Sequence, residues 1–339
     1  MHKFRNDYCE IAHDVVLKAL IDNKDYQFTG YGLDEHSQNA AKLIKDLFKA
    51  PSADVHFLVG GTQTNLTFIS YVLKDYEAVV AVKSGHINVH ETGAIEATGH
   101  KVYTVDGVDG KLTTSELEKA VKYHCDEHMV KPKLAYISNS TEIGTIYQKE
   151  ELTSFYNKCH ELGLYLFIDG ARLACALTSD ANDLALDDIA KNCDAFYLGG
   201  TKNGLMFGEA LVIVNKELQA DFRYQIKNKG AMLAKGFISG IQFEAILKDN
   251  LYFKIAKSAN DMAKILYERL ISLNFDVDPV YTNQLFVTIK KDLAYKLIEA
   301  FGCELWKDLG DKLVIRFVTS FNTKAEDIEE VYNYLINIK

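Results

Sequence analysis

Three short stretches of this 339-residue chain carry side chains that do chemistry, and each follows a strand-like apolar run. In "LYLFIDGARLACA" (164–176) the run ends in Asp169, and Arg172 follows after only Gly170 and Ala171. In "AFYLGGTKNG" (195–204) Lys202 stands among glycines, where a ligand approaches closely and loss of water lowers an amine's pKa toward that of a nucleophile. In "VHFLVGGTQTN" (55–65) Gly60, Gly61 and Thr62 lie between a strand and a helix start, where free N–H groups and a hydroxyl suit an anion. Read singly, each stretch has a plainer role. Asp169 pairs with Arg172 or caps a helix, Lys202 is an exposed turn residue, and Gly-Gly-Thr is a turn with an N-cap.

The histidines raise similar alternatives. His86, in "KSGHINVHETGA" (83–94), is suited to cover a planar ligand or simply to open a helix. His86 and His90, and the pair in "HCDEH" (124–128), have the spacing of metal ligands, but neither has a third ligand or an H-E-x-x-H pattern, so no metal is expected. The dinucleotide, P-loop and serine-hydrolase glycine motifs are missing as well.

The elements that must position these residues alternate. The runs 55–61, 78–82, 101–105, 134–138, 164–168, 195–200 and 209–215 read as strands, with helical patterns after 61, at 113–124 and at 149–162. Thr113 and Glu116 suggest a capping box. Buried strands alternating with amphipathic helices predict an α/β fold: a mostly parallel sheet with helices on both faces. After about residue 245 the texture changes to a long helix ending near Leu273, then "QLFVTI", "CELWK", "KLVIRFVT" and a last helix. We therefore expect a large domain over 1–245 and a small α+β domain over 246–339. A net charge of −9 argues against nucleic acid and anionic membranes as partners. Six dispersed cysteines, no apolar leader and no run approaching ~18 apolar residues lead us to expect a cytoplasmic protein with free thiols.

Taken together, an anion site, a ring-sized stacker, an acid and a lysine at strand ends are what pyridoxal 5′-phosphate requires. "FRNDY" (4–8), "YGLDEHS" (31–37), "GGTQTN", "HINVHETGA", "STEIGTIY" (140–147), "FIDGARLA", "GGTKNG" with "GEA" (208–210), and "VIRFVTSF" (314–321) occur in that order. With these motifs the chain resembles the threonine aldolase (β-eliminating lyase) family of fold-type I pyridoxal-phosphate enzymes, nearest its low-specificity L-threonine and phenylserine aldolase branch. The resemblance implies that Lys202 holds the cofactor, Asp169 pairs with its ring nitrogen, His86 stacks on the ring, and Gly61 and Thr62 bind its phosphate. Asn6, Arg172 and Arg316 would grip the substrate carboxylate. Tyr31, Asp34, Lys227 and Lys229 would reach a neighbouring subunit's site, in a homodimer or homotetramer with shared active sites.

The activity it implies is retro-aldol cleavage of L-threonine, L-allo-threonine or related β-hydroxy-α-amino acids to glycine and an aldehyde, with His86, or a water it holds, as base. β-Elimination from serine- or aryl-type amino acids is the alternative. Two positions depart from the family: Asn6 stands where many relatives have serine, and Ser140 and Thr141 where many have a histidine that faces the β-hydroxyl.

Overall fold

Seven strands form the larger sheet: β1 (Asp54–Leu58), β2 (Glu77–Val82), β3 (Lys101–Val105), β4 (Lys131–Ser138), β5 (Tyr165–Asp169), β6 (Ala195–Gly199) and β7 (Glu209–Ile213). The coordinates are a computed structural model, and they describe residues 2–338. Strand order is β1-β7-β6-β5-β4-β2-β3, parallel from β6 to β3, with β7 antiparallel to both its neighbours. Because side chains alternate along a strand, each central strand feeds two cores. Val80, Ile137, Leu166, Ile168, Phe196 and Val212 enter one. Val79, Tyr136, Phe167, Tyr197 and Leu211 enter the other. Full burial of Phe167 or Phe196 stabilises the sheet by about 1.5–3 kcal/mol each. Both faces are covered, which is why these strands read as continuous apolar runs.

A second, antiparallel sheet contains β8 (Asp276–Val277), β9 (Gln284–Lys290), β10 (Glu304–Asp308) and β11 (Lys312–Val318), in the order β10-β11-β9-β8. Its helices are Lys291–Phe301 and Ala325–Ile338. The expected boundary at 245/246 falls inside the helix Phe237–Leu247, whose Ile246 and Leu247 belong to the large unit's core. The transition comes instead within the helix Leu251–Ser272. Tyr252, Phe253, Ile255 and Ala256 pack in the first core, and Ala263, Leu266 and Leu270 in the second. Phe4 also packs in the second core, held by backbone bonds to Phe301 and Val318. The amino-terminal segment thus returns to the small unit. Thr113 caps its helix as expected, but Glu116 turns to Lys119, so only half of the capping box forms. Among the described residues no helix is long and apolar enough to cross a membrane.

Candidate active site

With β7 reversed, its amino end lies beside the carboxyl ends of the other six strands. Gly60–Thr62, His86, Glu142, Asp169, Lys202 and Glu209 follow or occupy those ends, the edge at which doubly wound sheets bind ligands. Two glycines let the chain pass there. A Cβ on Gly170 would stand 1.7 Å from the carbonyl oxygen of Tyr197, and one on Gly199 would stand 2.4 Å from that of Ala171. The contact is closed by Gly199 N–H donating to Gly170 O at 3.0 Å. It fixes Asp169 and Lys202 relative to one another.

Asp169 is buried and surrounded by donors. The Tyr136 hydroxyl and Asn65 Nδ2 (3.2 Å) donate to Oδ2, and the Tyr197 hydroxyl and the Ala171 N–H (3.0 Å) donate to Oδ1. Burial opposes its charge, but His86 and these hydrogen bonds outweigh that and hold its pKa below the usual carboxylate range. Asn65 also donates to Glu91 Oε1 at 2.7 Å, and His86 Nδ1 meets the same oxygen at 2.8 Å. A continuous chain of contacts therefore runs from Asp169 to His86. The simple pairing of Asp169 with Arg172 does not form. Arg172 Nε and Nη2 bind Asp7 at 2.7 and 3.0 Å, where the carboxylate accepts the guanidinium in bidentate fashion.

Lys202 stands between these acids and bases. Burial and the Arg172 charge lower its pKa, against the pull of Asp7, Asp169 and Glu209. Glu209 accepts from Gly200 N–H at 3.0 Å and is pushed up to about 8 by burial. Arg316 donates to Gln284 Oε1 at 3.0 Å and to Glu304, and lies 4.9 Å over the Trp306 ring. Burial and the Arg172 charge lower its pKa. The two guanidinium charges act on one another across the two sheets, an arrangement whose chemistry suits a carboxylate. Arg172 Nη1 has no protein partner among the described residues. Asn6 accepts through Oδ1 from Tyr8 N–H (3.0 Å) and from the Cys9 thiol (3.1 Å), leaving its amide N–H groups to donate.

Gly61 and Thr62 open the helix Gly61–Val72, and the cap is Gly60, not Thr62. Thr64 is the first residue to close on the Gly60 carbonyl, at 3.0 Å. The N–H groups of Gly61 and Thr62 and the Thr62 hydroxyl therefore remain for an anion. A helix start with free N–H groups, a buried amine, an acid with a lowered pKa and an imidazole are a set that fits pyridoxal 5′-phosphate.

Residues 25–292 match the family described as β-eliminating lyase. The chain belongs to that family. It is 29% identical over 308 residues to the low-specificity L-threonine aldolase of Pseudomonas aeruginosa, covering 89% of this chain and 87% of that one. A solved threonine aldolase from Leishmania major is 45% identical, with a TM-score of 0.98 and coverage of 100% of this chain and 99% of that one. An aspartate aminotransferase mutant of Thermus thermophilus shares the fold alone, with a TM-score of 0.72 at 13% identity and coverage of 98% and 89%. The architecture is that of the fold-type I pyridoxal-phosphate enzymes.

Among the described residues, the other expected residues make no contact with Lys202 of their own chain. Tyr31 is exposed, with Lys227 Nζ 5.3 Å from its ring centre. Lys229 acts on His100, beside the amino end of β3 and on the opposite edge from Lys202. Asp34 turns into its own chain. It is buried and caps the helix Glu35–Leu47, accepting from Ser37 N–H at 2.9 Å and from its hydroxyl at 2.7 Å. Sequence reasoning missed Asp7, Asn65, Glu91, Tyr136, Tyr197 and Glu209. The tyrosines read as strand core, and their hydroxyl target lies on a different strand. For Glu209 the signal was present, an acid opening an otherwise apolar strand.

Proposed function

We propose that this chain is a pyridoxal-phosphate-dependent carbon–carbon lyase. It cleaves L-threonine, L-allo-threonine or related β-hydroxy-α-amino acids to glycine and an aldehyde. The observation that carries this reading is Lys202, its amine pKa lowered by burial and Arg172, at the same edge as an Asp169 held ionised by four donors. Pyridoxal 5′-phosphate, when bound, supplies the electron sink for the pair left at Cα.

The protein's own residues do the rest. Lys202 offers a nucleophilic amine to the cofactor's aldehyde. Asp169 holds the proton on the ring nitrogen. The helix start at Gly61 and Thr62 holds the phosphate. Asn6, Arg172 and Arg316 orient the substrate carboxylate, so that the Cα–Cβ bond is the one aligned for cleavage. His86, fixed through Nδ1 by Glu91, covers the ring and orders the group or water beside the β-hydroxyl. Support for a shared site comes from Tyr31, Lys227 and Lys229, which stand away from their own Lys202 and are suited to complete a neighbour's site in a homodimer or homotetramer. A cytoplasmic location accords with the dispersed free cysteines.

The product assay decides the reading. With threonine, glycine and acetaldehyde in equal amounts are expected, together with the reverse addition of aldehyde to glycine. Ammonia and 2-ketobutyrate without glycine would mean β-elimination and overturn the aldolase reading.

A further inference from the structure

The base expected from sequence is His86, whose Nδ1 the structure ties to Glu91, leaving Nε2 as its one free ring nitrogen. Its Nδ1 meets Glu91 Oε1 at 2.8 Å, its backbone N–H donates to Glu142 at 3.0 Å, and its ring face is needed to cover the cofactor. Ser140 and Thr141, where many relatives carry histidine, offer hydroxyls, which are not bases at neutral pH. Thr141 is also paired with Thr145 at 2.7 Å. Glu142 accepts from both the Ser138 hydroxyl and the His86 N–H on Oε1, which holds its carboxyl group against the backbone of the stacking histidine.

A second imidazole stands beside it. His90 lies one turn beyond His86, its backbone N–H bonded to the His86 carbonyl at 2.9 Å. Its ring centre is 5.5 Å from that of His86 and 6.5 Å from that of Trp306, whose indole carries Arg316. Neither ring nitrogen has a hydrogen-bond partner among the described residues. His90 therefore stands, exposed, between the imidazole that covers the cofactor and the guanidinium that holds the carboxylate. With the cofactor under His86 and the carboxylate on Arg316, the β-hydroxyl, two bonds from Cα, would fall in that same interval.

We propose that His90 is the general base that takes the substrate's β-hydroxyl proton. This deepens the aldolase reading and rests on it. In the step, the O–H proton passes to an imidazole nitrogen of His90 and the O–H electron pair becomes the carbonyl π bond of the departing aldehyde. The Cα–Cβ pair stays on the glycine half, which then takes one proton at Cα, so the net change is proton transfer from oxygen to carbon. The charged groups facing His90 are His86, Arg316 from β11, Lys202 from the turn after β6 and Glu304 from β10. Burial and the first three lower its pKa against Glu304, which keeps the ring neutral and able to accept.

The test uses the intact holoenzyme and His90→Gln, a change at an exposed position. Three properties are read: borohydride labelling of Lys202, exchange of the glycine Cα proton in deuterated water, and threonine cleavage as a function of pH. Exchange at glycine involves no β-hydroxyl, so labelling and exchange are expected to stay within a few-fold of the parent. Cleavage is expected to fall by about 10²–10⁴-fold. The parent's loss of turnover at low pH, as His90 protonates, is expected to vanish in the variant. Parent-like cleavage, an unchanged acid limb, or an equal loss of glycine exchange would overturn the assignment. Failure of the parent to label at Lys202 would instead overturn the cofactor reading and this proposal with it.

Discussion

Arg172 Nε and Nη2 bind both oxygens of Asp7, at 2.7 and 3.0 Å, across 165 residues of sequence. The arginine expected to grip substrate is thus itself gripped, with Nη1 left over. Asp7 also accepts from Asn283 Nδ2 at 2.9 Å. Burial opposes its charge, but Arg172 and Lys202 hold its pKa below the carboxylate norm.

Asp7→Asn therefore leaves a buried guanidinium without its counter-charge. Breaking such a pair costs about 3–5 kcal/mol, so a lower melting temperature is expected. A rise in KM for threonine of roughly tenfold or more is expected too, since 1.4 kcal/mol of lost orientation is already a factor of ten. Thermal melts and steady-state kinetics check both. An unchanged KM would place Arg172 outside substrate binding.

Asp169→Asn separates cofactor binding from chemistry. The variant still labels at Lys202 with borohydride, because the helix start and the lysine are untouched. Turnover is expected to drop by about 10²–10³-fold, the size seen when one preorganised electrostatic contact is removed. Near-parental turnover would show that the acid serves only to order Tyr136 and Tyr197.

Sharing of the site is checked by mixing two inactive chains, Lys202→Ala and the Lys227→Ala/Lys229→Ala double variant. Random pairing in a twofold dimer makes half the dimers hybrid, each with one whole site, so about a quarter of parental activity is expected to return. Demonstrably mixed dimers without activity would exclude these lysines from the shared site.

His56 on β1 packs against Phe222 with ring centres 5.1 Å apart, and its Nε2 is buried without a partner. Burial, with Arg223 and Lys45, pushes its pKa down to about 4. The folded pKa is the lower one, so the unfolded chain binds the extra proton. The contribution is intact above pH ~6.5 and is lost as pH falls toward ~4, up to about 3 kcal/mol. Denaturant unfolding from pH 7 to 4 measures it, and His56→Phe is expected to flatten that part of the curve. An identical slope in the variant would assign the pH dependence to other groups.

How far sequence alone reaches is visible in these residues. Short apolar runs and strand-ending glycines are local signals, so β1 to β7, the helix at Gly61 and the placing of Lys202 and Asp169 after those runs were legible along the chain. So was the cofactor class, because amine, acid and anion site each sit at a strand end. Only the tertiary structure decided the partners. Strand order places β5 between β4 and β6, and that brings the Tyr136 and Tyr197 hydroxyls onto Asp169. The return of Phe4 to the second core carries Asp7 to Arg172 and removes the pairing of Asp169 with Arg172 that proximity in sequence suggested. Asp34 became a buried cap and His90 kept a free ring for the same reason. Periodicity reports which face a residue occupies, whereas its hydrogen-bond partner depends on which distant element that face meets.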